Sequence, residues 1–234
     1  MQKKPDYLYV GIQKSGRLKT DSCQFIASQF QLDYSLENCN TLLYSDNKNK
    51  IEYVFLREKD IPQLVRENVL DMGIVGMNTY MEDEKAGYNF QPLGFSECRL
   101  MLAVPEDDAY RSIDDLDGKT IATSYPVILE RYLKTQGVEA TIRKMSGSVE
   151  AAPSMGYADA ICDLVETGNT LRQNKLRTLE TIFESQAIAI FSPEFIDITM
   201  DDIQLDTLRN IKQNFLTPAA ETEPLYLNRL SRTY

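Results

Sequence analysis

The sequence of 234 residues contains no histidine and no tryptophan. The missing histidine excludes a Ser–His or Cys–His nucleophile pair, an imidazole general base and every zinc site that uses histidine. Any chemistry that the chain performs must therefore rely on Asp, Glu, Lys, Arg, Tyr, Ser, Thr or backbone groups.

Basic charge is also scarce. The chain has 25 Lys and Arg residues against 35 Asp and Glu residues, which gives a formal net charge of −10. A general nucleic-acid-binding protein needs a basic face that displaces counterions, so this balance argues against that class. An anionic ligand must instead be held by a local set of donors.

Cysteines are few and widely separated. Cys23, Cys39, Cys98 and Cys162 show no C-x-x-C spacing, which favours four reduced thiols in a reducing compartment. No apolar run has the length of a membrane span, and the segment after Met1 lacks the apolar core of a signal peptide. We therefore expect a cytoplasmic protein that binds no membrane.

Short β-rich runs alternate with helical stretches, a pattern typical of α/β proteins with mainly parallel sheets. Residues 7–12, 53–56 and 71–76 are predicted strands, and each is followed by polar or basic residues. Open α/β sheets bind their ligands at the carboxyl ends of the strands. After the second strand, Asp60 is a predicted N-cap and Pro62 is tolerated in the first turn of a helix.

The same alternation starts again near residue 100 and predicts a second α/β lobe. We predict that residues 1–96 and 180–234 form the first lobe, and that 97–179 form a second lobe inserted into it. The first lobe would include a C-terminal helix through Leu208, Ile211 and Phe215 and an irregular tail. A cleft between two lobes is the expected place for a ligand. The predicted elements of the second half are strands at 100–104, 119–123, 140–144 and 160–165, a helix at 126–136, and apolar runs at 181–183 and 187–191.

The most informative segment is 147–171. Its second half reads as a strand, 160–165, that leads into a Thr-Gly-Asn-Thr loop at 167–170. A glycine lets the backbone approach an anion closely, and successive N–H groups and two threonine hydroxyls can donate to that anion. Asp163 precedes the loop and could accept hydrogen bonds from sugar hydroxyls. A bare Thr-Gly-x-Thr, taken alone, favours an ordinary turn and helix cap over an anion site.

This segment resembles the signature of the ATP phosphoribosyltransferases over more than twenty residues. The matching positions are Glu150, Gly156, Ala158, Ile161, Asp163, Leu164, Thr167, Gly168, Thr170 and Leu171. Further matches are 13–18, Arg57 with 60–62, 71–76 and 121–126, so that the resemblance covers roughly residues 7–192.

The resemblance implies a fold and a reaction. The family has two α/β lobes like those of type II periplasmic binding proteins, with the active site in the inter-lobe cleft. Its members transfer the phosphoribosyl group of phosphoribosyl pyrophosphate to N1 of ATP, release pyrophosphate and require Mg²⁺, as the first step of histidine biosynthesis. An alternative is a non-catalytic bilobal ligand-binding or regulatory relative that kept the phosphate loop.

The resemblance also assigns candidate site residues. Arg17 and Arg57 are the expected catalytic residues, because their planar forks suit pyrophosphate or ATP phosphates, although either could simply be solvated. Glu150 could accept ribose hydroxyls or hold Mg²⁺ through water, or it could be an ordinary first-turn glutamate. The expected ATP-binding residues are Lys14, Ser15, Gly16 and Arg17. The expected residues for phosphoribosyl pyrophosphate are Glu150, Asp163, Glu166, Thr167, Gly168, Asn169 and Thr170.

The family has a long form with a C-terminal histidine-binding regulatory domain and a short form that works with a regulatory subunit resembling a histidyl-tRNA synthetase. Segments 13–17 and 122–126 look closer to the long form, yet the chain ends at residue 234. We therefore expect a catalytic chain without the regulatory domain, which is either a short-form enzyme, a long-form relative that lost its third domain, or a truncated long form. We also expect a homodimer and, as an open alternative, a separate regulatory subunit.

Overall fold

The computed structural model describes residues 3–4, 6–29, 36–87 and 89–197. These residues form α-helices, strands and a few short 3-10 helices. The strands are β1 (Leu8–Gln13), β2 (Leu43–Asp46), β3 (Ile51–Leu56), β4 (Met72–Gly76), β5 (Phe90–Pro92), β6 (Cys98–Pro105), β7 (Thr120–Thr123), β8 (Thr141–Lys144), β9 (Ala160–Val165), β10 (Leu176–Ser185) and β11 (Ala187–Phe191). The α-helices are α1 (Arg17–Gln29), α2 (Ile61–Arg66), α3 (Met77–Glu82), α4 (Pro126–Gln136), α5 (Asn169–Gln173) and α6 (Pro193–Asp197). The 3-10 helices are Leu36–Asn38, Glu58–Asp60, Ile113–Leu116 and Val149–Ala151.

The chain divides into two compact units. The first takes the described residues up to Tyr80, Lys85–Ser96 and those from Gln186 onward, and the second takes Met81–Glu84 and Glu97–Ser185. Each unit contains one β-sheet. The lobe boundaries predicted from the sequence stay a prediction.

The first unit is built on a six-stranded sheet with the order β2-β3-β1-β4-β11-β5. Its central strand β1 runs parallel to both β3 and β4. β1 and β3 end together, since Gln13 pairs with Leu56 and the Lys14 N–H donates to the Leu56 carbonyl at 2.8 Å. The segments that follow these two strands therefore start from one edge of the sheet.

Glycines let helix α2 pack directly on this sheet. A Cβ at Gly11 would lie 2.6 Å from Leu70 Cδ1, and a Cβ at Gly73 would lie 2.3 Å from Ile61 Cγ2. Ile61 is fully buried, and burying a side chain of this kind stabilises the fold by about 1.5–3 kcal/mol. A larger residue at either glycine would clash with these side chains unless they moved.

The second unit has a five-stranded sheet with the order β10-β6-β9-β7-β8. β7 is parallel to β8 and β9, whereas β6 is antiparallel to β9 and β10. One buried cluster joins Ile161 and Val165 of β9 to Val149 and to Leu171 of α5. This cluster holds the 3-10 helix Val149–Ala151 and α5 beside the carboxyl end of β9.

The predicted α/β class is confirmed, but the sheets are mixed rather than mainly parallel. The alternation of strands and helices does not apply to β2 and β3, which pair antiparallel across a short turn, or to β11, which pairs antiparallel with β4 and β5. The apolar run at 181–183 belongs to the longer strand β10. Antiparallel neighbours need no crossover helix, and the sequence analysis had no signal for them.

Other local predictions have different outcomes. Asp60 is the N-cap residue of α2 and Pro62 lies in its first turn, as predicted, although the Asp60 side chain makes no capping hydrogen bond. The helix predicted through Leu208, Ile211 and Phe215 lies outside the described residues. The four cysteines are free, as expected. None of the helices in the described part of the chain has both the length and the apolar character needed to cross a bilayer.

Candidate functional site

A pocket of about 240 Å³ lies at the carboxyl end of β9 in the second unit. It is lined by Glu150 and by the continuous stretch 163–171. The structure thus brings together all seven residues that the resemblance assigned to phosphoribosyl pyrophosphate. They are Glu150, Asp163, Glu166, Thr167, Gly168, Asn169 and Thr170.

The loop of this pocket owes its shape to a glycine. Gly168 has a φ of +74°, in the left-handed region that residues with a side chain rarely adopt. The Asn169 N–H approaches Thr167 Oγ1 at 3.5 Å, and the Gly168 carbonyl accepts the Arg172 N–H at 3.1 Å. Leu171 is buried in the core below and anchors the loop. Thr167, Asn169 and Thr170 are exposed on the pocket side of this anchor.

Glu150 reaches the pocket from a different part of the chain. It lies in the 3-10 helix Val149–Ala151, where Val149 and Ala152 are buried in the same cluster as Ile161 of β9. Glu150 itself is half-buried between these two apolar anchors. The fold therefore carries a carboxylate to the pocket next to the strand that supplies Asp163.

The pocket lining is acidic. Glu150, Asp163 and Glu166 supply three carboxylates, and Asp163 Oδ1 also accepts the Leu164 N–H at 2.8 Å. None of the lining residues, all of which are described, is Lys or Arg. Such a lining can accept hydrogen bonds from hydroxyl groups or bind a hard cation through oxygen.

The remaining candidates belong to the first unit. Lys14, Ser15 and Gly16 join β1 to α1, Arg17 is the first residue of α1, and all four are exposed. Gly16 turns the chain with a φ of +88°. Arg57 follows β3 directly and is exposed as well. Because β1 and β3 are neighbours that end together, the structure brings Arg57 to the same sheet edge as the 14–17 loop.

The sequence analysis missed Glu58, whose carboxylate links the segment after β3 to β4 and α3 at this edge. Glu58 Oε1 accepts the Gly76 N–H at 2.7 Å and the Thr79 hydroxyl at 2.8 Å. Gly76 ends β4 and Thr79 lies in α3, so the residue next to Arg57 is fixed to a neighbouring segment of the chain. Neither partner is close to Glu58 in sequence, so no local sequence pattern predicts the contact.

The candidates therefore form two sets, one in each unit. Lys14, Arg17 and Arg57 of the first unit are cationic, whereas the pocket of the second unit presents carboxylates and hydroxyls. Comparison with known proteins shows the family of the chain.

Residues 57–213 match the family model described as "HisG: ATP phosphoribosyltransferase". The chain belongs to the ATP phosphoribosyltransferase family. It is 42% identical over 191 residues to an ATP phosphoribosyltransferase of Bacteroides thetaiotaomicron, an alignment that covers 81% of this chain and 66% of the relative. A relative from Parabacteroides distasonis is 42% identical over 184 residues, covering 78% of this chain and 64% of the relative. The chain thus spans just under two thirds of the length of these family members.

Solved structures place the fold in the same family. A chain of the ATP phosphoribosyl transferase (HisG:HisZ) complex from Thermotoga maritima superposes with a TM-score of 0.70 at 27% identity, covering 88% of this chain and 99% of that one. The alkanesulfonate-binding protein SsuA from Xanthomonas axonopodis superposes with a TM-score of 0.54 at 16% identity, covering 91% and 76%. The second match bears on the fold alone, and it confirms the expected likeness to periplasmic binding proteins.

Proposed function

We propose that the chain catalyses the transfer that gives the family its name, from phosphoribosyl pyrophosphate to N1 of ATP, as the first step of histidine biosynthesis. The observation that carries the proposal is the pocket at the end of β9, where Glu150 and the 163–171 stretch meet. A phosphate fits the hydroxyls and amides of the loop, and ribose hydroxyls fit the carboxylates. One pocket therefore offers both kinds of group that a phosphoribosyl ligand requires.

The reaction suits a protein without histidine. The lone pair of adenine N1 forms the new bond to the anomeric carbon, the bond from that carbon to the pyrophosphate oxygen breaks, and its electron pair leaves with pyrophosphate. The attacking nitrogen carries no proton, so no general base is needed at that step. The barrier lies in charge that develops on the leaving group, which fixed cationic donors stabilise.

Arg17 and Arg57 are the proposed donors for that charge. Both are exposed at strand ends of the first unit, and a guanidinium presents a planar fork that matches phosphate oxygens. The Arg57 carbonyl accepts the Asp60 N–H at 3.0 Å, but the Arg57 guanidinium makes no hydrogen bond or ion pair with the described residues. Lys14, Ser15 and Gly16, on the same edge as Arg57, are proposed to contact ATP together with Arg17.

Mg²⁺ is the proposed cofactor. Mg²⁺ usually keeps several waters and binds one or two carboxylates together with ligand phosphates. The described residues contain no group of three or more His, Cys, Asp or Glu side chains that could hold a metal alone. The pocket carboxylates of Glu150 and Asp163 fit the shared mode, in which bound Mg²⁺ neutralises phosphate charge.

The proposed partners and the proposed compartment each rest on one observation. The T. maritima neighbour is a HisG:HisZ complex, which supports a homo-oligomer, expected as a dimer, and a separate regulatory subunit resembling a histidyl-tRNA synthetase. The free cysteines support operation in the reducing cytoplasm. Neither a nucleic acid nor a membrane is proposed as a partner.

An absorbance assay for the N1 adduct tests the activity. The chain is mixed with ATP, phosphoribosyl pyrophosphate and Mg²⁺, with and without a candidate regulatory subunit, and we expect product in at least one condition. Calorimetric binding of phosphoribosyl pyrophosphate is measured on the same sample. Binding without product in either condition would favour a non-catalytic relative, and the absence of both would overturn the proposal.

A further inference from the structure

Arg172 lies next to the pocket but was not singled out by the sequence. It belongs to α5, is exposed, and its Nη2 donates to Asn169 Oδ1. Its Nη1 lies 3.6 Å from the position that a Cβ on Gly168 would occupy. The guanidinium is therefore folded back over the Thr167–Thr170 loop instead of extending into solvent.

The negative charge of the pocket indicates a role for the Arg172 guanidinium at this position. Three carboxylates, those of Glu150, Asp163 and Glu166, line a pocket that contains no Lys or Arg among its described lining residues. A phosphate group on the loop would meet this negative charge at short range. The guanidinium over Gly168 supplies a positive charge at the loop itself.

Arg172 also has unused donors. A guanidinium carries five N–H groups, and the Arg172 side chain has its hydrogen bond with Asn169 as its one contact of this kind among the described residues. Asn169 accepts through its carbonyl oxygen and so fixes the direction of the fork. A group held in this way loses less side-chain entropy when it binds a ligand.

We propose that Arg172 is a phosphate-binding residue of this pocket, oriented by Asn169 and acting on the phosphate that sits on the Thr167–Thr170 loop. The inference rests on the proposed function, because it takes a phosphoribosyl compound as the ligand. It adds a cation that the family resemblance did not assign. Because the proposed function assigns the sugar phosphate to this loop and the leaving group to Arg17 and Arg57, we expect Arg172 to act on affinity for the sugar phosphate and to leave ATP affinity unchanged.

Calorimetry with ribose 5-phosphate and with phosphoribosyl pyrophosphate tests the proposal. We expect Arg172→Gln to raise the Kd for both ligands about tenfold, since losing one charge-assisted hydrogen bond has an effect of this order. The Kd values of Arg172→Lys, which keeps the charge but not the planar fork, should lie between those of Arg172→Gln and those of the original chain. Arg131→Gln is the matched control, because Arg131 is an exposed arginine of α4, which contributes no residue to the pocket lining.

A salt series separates ligand binding from mere support of the loop. If Arg172 contacts the phosphate, the Kd for ribose 5-phosphate should rise less steeply with KCl in Arg172→Gln than in the original chain. An unchanged salt dependence, or an unchanged Kd, would overturn the role of Arg172 while leaving the proposed function in place. Failure of the original chain to bind either ligand would overturn both proposals together.

Discussion

The two units present opposite chemistry at the ends of their strands. In the first unit the candidates are Lys14, Arg17 and Arg57, all exposed and all cationic. In the second unit the pocket after β9 is lined by carboxylates, hydroxyls and amides. Under the proposed function, the first unit would stabilise phosphate charge on the leaving group and the second unit would recognise the ribose and its phosphate.

The two regions are also built differently. The pocket of the second unit comes from one continuous stretch, 163–171, with Glu150 added from a nearby 3-10 helix. The edge of the first unit depends on the register of β1 with β3 and on the contact from Glu58 to Gly76. We expect the first region to be more sensitive to distant changes in the fold, and the second to be defined mainly by its own sequence.

Replacing Arg57 should have the largest effect. Arg57→Ala removes a proposed donor to the departing pyrophosphate, and loss of one such donor lowers kcat on the order of 10²-fold. Affinity for ATP should change much less, because the charge that Arg57 stabilises develops in the transition state. Steady-state kinetics and ATP calorimetry on the same variant measure both effects.

Lys59→Ala is the control for Arg57, since it removes one positive charge from the same 3-10 turn. We expect this variant to keep its turnover. If Arg57→Ala weakens ATP binding as much as it lowers kcat, Arg57 contributes ground-state binding only. The proposed division between the two units would then lose its main support.

Asp163→Asn should give the next largest effect, and it tests the pocket of the second unit. The substitution keeps the shape of the side chain but removes the charge that is proposed to accept ribose hydroxyls. A hydrogen bond to a charged group contributes about 1.5–3 kcal/mol, so KM for phosphoribosyl pyrophosphate should rise at least tenfold. KM for ATP should stay close to its original value, which initial-rate kinetics with each substrate varied in turn would show.

Asp107→Asn serves as the matched variant, because Asp107 is an exposed aspartate of the second unit that contributes nothing to the pocket lining. Its kinetics should equal those of the original chain. Parallel increases in both KM values for Asp163→Asn would mean that the pocket does not distinguish the two substrates.

The sequence predicted the second region well because its signals are local. Strand β9 and helix α4 were predicted with the bounds that the structure has, and the residues of the Thr-Gly-Asn-Thr loop follow one another in the chain. Arg172 was within reach of the same reasoning, since it follows Asn169 by three residues and such pairs are neighbours on a helix. The sequence analysis treated the loop as complete without it.

The first region shows where sequence reasoning ends. Arg57 was found through the family resemblance, but its position beside the 14–17 loop depends on β1 and β3 being adjacent and in register. The contact from Glu58 to Gly76 and Thr79 depends on the fold as well. The short strands β2 and β5 were missed because edge strands carry too few residues to show a periodicity.

A third prediction concerns Glu58 and should change stability more than chemistry. Glu58→Ala would leave the buried Gly76 N–H without its acceptor, which costs about 1–3 kcal/mol. It would also release the turn that carries Arg57, so kcat should fall by less than in Arg57→Ala. Urea unfolding gives the free energy of unfolding, and kinetics give the second effect.

Glu58→Gln provides the matched variant, because its amide oxygen can accept the same two hydrogen bonds. We expect it to recover most of the free energy of unfolding that Glu58→Ala loses. Equal losses in the two variants would show that the charge of Glu58, and not its role as acceptor, holds the edge of the first unit.

The last prediction compares the buried cysteines that support the two regions. Helix α1, which begins at Arg17, carries Cys23, and β9, which leads into the pocket, carries Cys162. Burial raises the pKa of the Cys23 thiol from 9.0 to about 11 and also raises the pKa of the Cys162 thiol. Both thiols therefore stay protonated in the folded chain at a pH where the unfolded chain starts to lose these protons.

The sign of the pH dependence follows from this difference. Above pH 9 the folded chain binds more protons than the unfolded chain, so the free energy of unfolding should fall as the pH rises toward 11, by at most about 1.4 kcal/mol per pH unit for each thiol. Urea unfolding of the original chain, Cys23→Ala and Cys162→Ala between pH 8 and 11 would measure the slopes. Each substitution should flatten the decline, Cys162→Ala at least as much as Cys23→Ala, because burial raises the pKa of the Cys162 thiol further. Parallel curves for the original chain and Cys23→Ala would mean that the Cys23 thiol in α1 is open to solvent. The two regions would then differ in the burial of the elements that support them as well as in their charge.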